Sequence, residues 1–296
     1  MGDSRQIMKK QRLDLLLLEL GLFSSREAAQ AAIMDGAVLV NKQKVTKSGT
    51  PVAEGSQVDL LAGWGQAKYV SRGGLKLEKA LREFAVDVSG RICLDIGAST
   101  GGFTDCLLKS GAQRVYAVDV GYGQLDWSLR QDSRVVVKER INARHLTPEI
   151  LYQPGQQWAD LAVVDLAFIS LVKVLPAILS LLDTHGYDLI CLIKPQFEAG
   201  RESVGKGGVV RSPAVHIQVI ESLLEKGAEL GLVARAATFS PIKGPAGNIE
   251  YLVHWSDSGC SRVPNVPFLV DLAFAELTGI AKGLDSQNQT EFTVET

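Results

Sequence analysis

A doubly wound α/β sheet closed by an antiparallel hairpin, with a small α+β module in front of it, is the fold the sequence predicts. Three observations carry this. From residue 70 onward, short apolar runs alternate with helical patterns, as βαβ units of a parallel sheet require. Near the end, two apolar runs follow each other with only a loop between them, so they pair antiparallel. Residues 7–60 hold two short helical patterns and small strands, too little to enclose a large core.

Composition fits this division. The chain has 296 residues, 46% hydrophobic and 22% charged, the balance of an ordinary globular protein of about two domains. Disordered, collagen-like and disulfide-scaffold classes are excluded. No run reaches the roughly 18–20 apolar residues needed to cross a bilayer. The apolar stretch from Leu13 to Phe23 is broken by Asp14 and Glu19 and lacks a signal-peptide cleavage site. Cys93, Cys106, Cys191 and Cys260 are far apart, which fits reduced thiols in a cytoplasmic protein and no metal site. The formal charge of −2 hides an asymmetry. Residues 1–82 carry 13 Lys+Arg against 8 Asp+Glu, a net +5, and the remainder carries 18 against 25, a net −7. A basic front on an acidic body raises nucleic-acid binding.

Taken in order, Leu13, Leu16, Leu17 and Leu20 recur at helical spacing, and Gly21 stops that helix. Ser24 or Ser25 caps a second helix, Arg26 to Asp35, with Ala28, Ala29, Ala32 and Ile33 on its apolar face. Ala37–Val40, a turn at Asn41–Lys44, Val45 and a strand at 57–61 complete the module. A linker over 62–68 follows, with Trp64 packing between domains in preference to stacking on a base.

The body, 69–284, opens with a helix near Leu75–Phe84. Strands are expected at Ile92–Ile96, Val115–Val120, Val135–Glu139, Leu161–Asp165 and Leu189–Lys194, with helices near Gly102–Ser110, Leu171–Leu182 and Pro213–Gly231. Val233–Phe239 and Ile249–Trp255 form the closing pair, and the polar tail 285–296 is expected to be disordered. A hairpin closing five parallel strands is the layout of methyltransferase sheets; a plain dinucleotide-binding sheet has no need of it.

Candidate chemistry gathers where the strands end. The first strand runs into Asp95, Gly97, Ala98, Ser99, Thr100, Gly101, Gly102 and Phe103. Small residues at a strand-to-helix turn admit a ligand close to the backbone and to free N–H groups. Asp119, 24 residues after Asp95, ends the next strand, placed either to accept from ribose hydroxyls or to cap a helix. Asp165 and Lys194 each follow an apolar run, and Glu250 opens the last strand. Burying such charges demands partners. A structural Asp165–Lys194 salt bridge and a functional pair explain them about equally well. Gly200–Lys206 has the spacing of a phosphate-binding loop, but Gly207 stands where the Mg²⁺-binding hydroxyl belongs, so an ATP site is rejected in favour of a loop beside the site.

Two resemblances sharpen this. Residues 12–60, with Arg12-Leu13-Asp14, the Ser25-Arg26 helix start and the Gly36-to-Asn41 turn, resemble the RNA-binding domain first seen in ribosomal protein S-four. That likeness implies RNA-phosphate contacts from Arg12, Arg26, Lys42, Lys44 and Lys47, contacts that add affinity without reading sequence. Residues 69–255 resemble the FtsJ-like RNA 2′-O-methyltransferases, and the joined arrangement is similar to the TlyA family, also called haemolysin A-like. The motifs are Tyr69–Leu77, Asp95–Asp105, Asp165–Ser170, Lys194–Gly200 and Val204–Arg211. Thr100 and Phe103, where FtsJ has Pro and Trp, favour TlyA; Ala167, where TlyA members more often have Ser, departs from it.

The likeness implies a Rossmann-like methyltransferase sheet and a Lys76-Asp165-Lys194-Glu250 tetrad. It implies S-adenosylmethionine in the Gly97–Phe103 turn with Asp119 on its ribose. Asn142 and Ala143, after the third strand, would approach the adenine, although Asn142 serves equally as a turn residue. Lys194 is then the candidate general base; a free lysine titrates near about 10.4, so a lysine base needs surroundings that lower this. Asp165 and Glu250 would orient the lysines and the ribose. The expected function is 2′-O-methylation of ribosomal RNA at cytidine, free or in ribosomal subunits, without metal or membrane. A small-molecule methyltransferase and a membrane-active haemolysin are the alternatives.

Overall fold

The computed structural model describes residues 10–23, 26–34, 36–61, 68–260 and 265–279. The expected caps Ser24 and Ser25, the end of the second helix at Asp35, Trp64 with most of its linker, and the tail lie outside them.

The front module is built from β1 (Lys10–Arg12), α1 (Leu13–Glu19), α2 (Arg26–Met34), β2 (Val38–Val40), β3 (Gln43–Val45), β4 (Pro51–Ala53) and β5 (Val58–Leu60). β2 is central to an antiparallel sheet ordered β3-β2-β5, and β1 pairs with β4. Asn41 and Lys42 both take positive φ, 50° and 65°, which gives the β2–β3 hairpin a two-residue turn matched to strand twist. Leu13, Leu17, Ala29, Ala32, Ile33, Val38 and Val52 form a core of its own.

The body contains α3 (Gly73–Phe84), β6 (Ile92–Ile96), α4 (Gly102–Lys109), β7 (Arg114–Val118), α5 (Trp127–Gln131), β8 (Val135–Lys138) and α6 (Pro148–Leu151). It continues with β9 (Leu161–Val164), α7 (Leu175–Leu179), β10 (Asp188–Ile193), α8 (Pro195–Glu198), α9 (Pro213–Glu229), β11 (Val233–Phe239), β12 (Tyr251–Ser256) and α10 (Val266–Thr278). Seven strands form one sheet in the order β11-β12-β10-β9-β6-β7-β8. β6, β7, β8, β9 and β10 are parallel. β12 is antiparallel to both β10 and β11, so β11 points the same way as the parallel five. The expected hairpin is present, with its second strand inserted inside the sheet.

Layers on both faces explain why these strands read as continuous apolar runs. One face carries Leu94, Ile96, Cys191, Ile193, Tyr251, Val253 and Trp255; the other carries Cys93, Val115, Ala117, Leu161, Val163, Ile190 and Leu192. Each fully buried Leu or Ile contributes about 1.5–3 kcal/mol of transfer free energy. Cys93, Cys106 and Cys191 are buried and free, and Cys260 is exposed.

Two expectations change. The helix expected over Leu171–Leu182 is a 3₁₀ turn, Leu171–Lys173, and then α7. Pro176 has no N–H and crowds the preceding turn, so the helix must restart with Pro in its first turn. Strands β7, β8, β9 and β10 stop one or two residues earlier than the apolar runs suggest, and Glu250 immediately precedes β12. Asp119, Asp165 and Lys194 are therefore the first residues beyond their strands, where ligands gather in open α/β sheets.

The charge asymmetry also moves. Lys68, Arg72, Lys76, Lys79 and Arg82 belong to the entry to α3 and to α3 itself. Residues 7–61 alone hold 7 Lys+Arg and 6 Asp+Glu, a net of +1. The basic front is thus largely the first helix of the body.

Candidate active site

The four residues of the expected tetrad converge as two ion pairs. Lys76 Nζ lies 2.6 Å from Glu250 Oε2, and Lys194 Nζ lies 2.5 Å from Asp165 Oδ1. α3 carries Lys76, β9 and β10 deliver Asp165 and Lys194, and Glu250 arrives just before β12. Burial works against the Asp165 carboxylate, but Lys194 and Lys76 more than offset it and hold the group below its usual range. Lys76 therefore acts on both acids and joins the two pairs into one cluster.

Backbone packing sets this geometry. Gly244 lies against Glu250: a Cβ there would sit 3.0 Å from the Glu250 Cδ and closer still to Oε1. Glu198 accepts from Leu171 N at 2.9 Å, tying the loop after Asp165 to the turn after Lys194. Phe168 and Phe197 pack across the same two loops, ring centroids 5.1 Å apart. Phe168 takes φ +64°, a strained conformation for a bulky residue, and is 91% exposed. Sequence reading passed over Gly244, Glu198 and Phe168; Phe168 and Glu198 were signalled only by lying in the runs 165–170 and 194–200, and Gly244 by nothing.

The glycine-rich turn lies beside the tetrad. Gly97 adopts φ +88°, and a Cβ on it would lie 2.9 Å from the Asp165 carbonyl carbon. Gly101, at φ +96°, faces Leu125 and Leu129, and a Cβ on Gly102 would approach Gly74 N to 2.9 Å. Thr100, Ala98 and Phe103 are buried in the turn, and Ser99 takes φ +48°. Asp119 is not a helix cap. Its two oxygens accept from Ser99 N at 2.8 Å and Gly121 N at 2.6 Å, binding the end of β7 to the turn. Asn142 does cap: its Oδ1 accepts from Arg144 N at 3.0 Å at the start of a 3₁₀ turn that includes buried Ala143.

Asp95 is fully buried, with Oδ2 accepting from Thr104 Oγ1 at 2.6 Å and Oδ1 left without a hydrogen-bond partner. Burial pushes its carboxyl up to about 7; Thr104 opposes this, and Asp165 and Asp119 add to it. An orphaned buried acid, carboxylates on either side and a turn with no room for Cβ atoms together fit a cationic, hydroxyl-bearing ligand such as S-adenosylmethionine. The titration has a stability consequence. Because the folded-state value is raised, ionising Asp95 costs stability that is intact near pH 4 and lost progressively up to about pH 7. Asp95→Asn is expected to gain melting temperature over the native apoprotein as pH rises through that window, measured by parallel thermal melts. A gap that does not change with pH would contradict this.

The front-module residues divide. Arg12 Nη2 and Arg26 Nε each lie 2.9 Å from Asp14 Oδ2, and Asp14 is completely buried. The Arg12 guanidinium, opposed by burial and aided by Gln30 and Arg26, holds the Asp14 carboxyl far below its ordinary range. Arg12 ties β1, and Arg26 ties α2, to α1, with part of each side chain still exposed. Lys42, Lys44 and Lys47 are exposed, with no ion pair among the described residues.

Among the described residues no group of three or more His, Cys, Asp or Glu side chains could hold a metal ion, and no helix is long and apolar enough to cross a membrane.

Comparison with known proteins identifies the family. The FtsJ-like methyltransferase family matches residues 69–256, and the S4 domain matches residues 11–58. The 16S/23S rRNA (cytidine-2'-O)-methyltransferase TlyA of Mycobacterium tuberculosis is 45% identical over 263 residues, covering 89% of this chain and 96% of that protein. Hemolysin A of Brachyspira hyodysenteriae is 43% identical over 244 residues, covering 82% of this chain and 99% of that protein. A solved structure from Streptococcus thermophilus superposes with a TM-score of 0.71 at 42% identity, covering 92% of this chain and 98% of that one.

Proposed function

Because the chain belongs to the TlyA family of FtsJ-like methyltransferases, with an S4 domain ahead of the catalytic one, we propose that it transfers a methyl group from S-adenosylmethionine to a ribose 2′-hydroxyl of ribosomal RNA, at cytidine. The observation that carries this reading is the pairing of Lys194 with Asp165 and Lys76 with Glu250 beside the Gly97–Phe103 turn. Bound there, S-adenosylmethionine would supply an activated methyl on a sulfonium. Gly97, Gly101 and Gly102 would admit it to the backbone, Asp119 would meet its ribose, Asp95 and Asp165 would offer negative charge to its cation, and Ala143 would border its adenine.

The protein's own part is positioning and proton handling. A ribose hydroxyl is a poor nucleophile, so much of the rate comes from fixing it in line. Once Lys194 has given up its ion-pair proton, its Nζ accepts the hydroxyl proton as the ribose oxygen takes the methyl and the cofactor's sulfur leaves as a neutral thioether, with Asp165 holding that nitrogen in place. Lys76 and Glu250 orient the ribose from the other side. Phe168 offers an exposed ring at the mouth of the site, on which an unstacked base can lie, a contact worth about 1–3 kcal/mol. Lys42, Lys44 and Lys47, with the exposed parts of Arg12 and Arg26, meet RNA phosphates without reading sequence.

Tritiated S-adenosylmethionine offered with ribosomal subunits, free ribosomal RNA and lipid vesicles tests the whole reading. Label is expected in RNA alone; label only in small molecules, or vesicle leakage without RNA label, would contradict it. Phe168→Gly should raise the melting temperature by relieving the φ strain and lower RNA methylation about tenfold or more. Methylation unchanged in that variant would remove Phe168 from the account.

A further inference from the structure

The glycine-rich run after Lys194 has no role in the chemistry above. In the structure it closes into a tight turn. Gly205 N donates to Val209 O at 3.0 Å and Gly208 N to Gly205 O at 3.1 Å, with Gly207 and Gly208 at φ +81° and +76°. Lys206 stands at its tip, and the Arg211 guanidinium lies against Gly205, Nη1 being 3.1 Å from where a Cβ would be. Both cations are exposed, with no ion pair to either among the described residues. Residues 205–211 contain no acid, so this is a +2 segment within the stretch 83–296, whose net charge is −7.

Two buried side chains fix the turn. Asn248 Oδ1 accepts from Val210 N at 3.0 Å, and its Nδ2 donates to Gly208 O at 2.8 Å. His216 Nε2 is 3.0 Å from Val210 O and its Nδ1 is 2.9 Å from the Tyr251 hydroxyl. A carbonyl only accepts, so Nε2 carries the proton and Tyr251 donates to Nδ1. Burial lowers the His216 pKa, which keeps this neutral form. Asn248 and Tyr251 flank Glu250 in the chain, so the cationic turn is fastened on both sides of a tetrad residue.

We propose that the Gly205–Arg211 turn is a phosphate-contact site for the RNA strand bearing the target nucleotide, with Asn248 as the positioning residue that fixes its place relative to Glu250. This deepens, and rests on, the RNA methyltransferase reading. Glycines let a phosphate reach the backbone, and two cations on a fixed turn set the register of a strand without reading its bases. A hydroxyl that must be held in line gains from a phosphate clamped at a constant distance.

The test uses the full chain, tritiated S-adenosylmethionine and unmethylated bacterial ribosomal RNA, with RNA binding measured separately over a salt series. Methylation by the native chain checks the underlying reading on its own; its absence would remove that reading. Lys206→Ala with Arg211→Ala is expected to weaken RNA binding about tenfold or more and to flatten the salt slope by about 1.4–1.8, two phosphates' worth. Cofactor affinity should not change. Asn248→Ala, which keeps both cations, should raise the KM for RNA and lower kcat, with Asn248→Asp restoring part of the loss through its retained acceptor for Val210 N. Added to the double variant, Asn248→Ala should cause no further loss of RNA affinity. RNA binding and salt slope unchanged in the double variant would overturn the phosphate site. Additive losses, or an Asn248→Ala effect confined to melting temperature, would overturn the positioning role.

Discussion

Lys194→Met is expected to lower the rate of methyl transfer by about 100- to 10,000-fold, the range that loss of a positioned general base produces. Methionine keeps the apolar stem and removes only the ammonium, so packing at the end of β10 survives. The loss should fall on kcat, because Lys194 pairs with Asp165 and not with any residue of the glycine-rich turn. Equilibrium dialysis should find cofactor affinity unchanged, and rapid-quench turnover should find the chemical step slowed. Near-native turnover would remove Lys194 as the base and leave the Asp165–Lys194 pair as a structural salt bridge.

Gly97→Ala is expected to weaken cofactor binding and to destabilise the body by about 2–4 kcal/mol, a left-handed alanine plus overpacking. The residue sits at φ +88°, and the atoms a Cβ would strike are the carbonyl carbon and oxygen of Asp165, backbone that cannot turn aside. Any relief moves either the turn or Asp165, so affinity and turnover fall together. Gly90→Ala is the control: φ is +74° there, but nothing lies within 4 Å of the added methyl. Thermal melts and cofactor titrations on both variants separate backbone conformation from close approach. Equal losses in the two would show that the Gly97–Asp165 contact carries no weight.

The sheet was legible because parallel strands buried on both faces leave continuous apolar runs, and its candidate acids Asp119 and Asp165 and Lys194 were legible because charge ends those runs. Lys76 was visible only through family likeness, and Glu250 only as a charge opening the last strand. It follows a loop, and its significance lies in Lys76, 174 residues away in the chain. The three-residue strands β1 and β4 and the short helices α5 and α6 gave too few turns or alternations to register a period. Charge counting misled in a specific way. Arg12 and Arg26 are held by buried Asp14, whose role as their partner has no periodic signature, and much of the positive charge assigned to the front lies on α3. Gly244, Glu198 and Asn248 were missed because each acts by holding a neighbouring loop, and only the tertiary structure brings those loops together.

Mass spectrometry of nucleosides from ribosomal RNA incubated with the full chain and S-adenosylmethionine tests the central claim most directly. The account predicts one new product, 2′-O-methylcytidine, absent when Lys194→Met replaces the native chain. A methyl group on a base, or ribosomal RNA left unmodified, would contradict it.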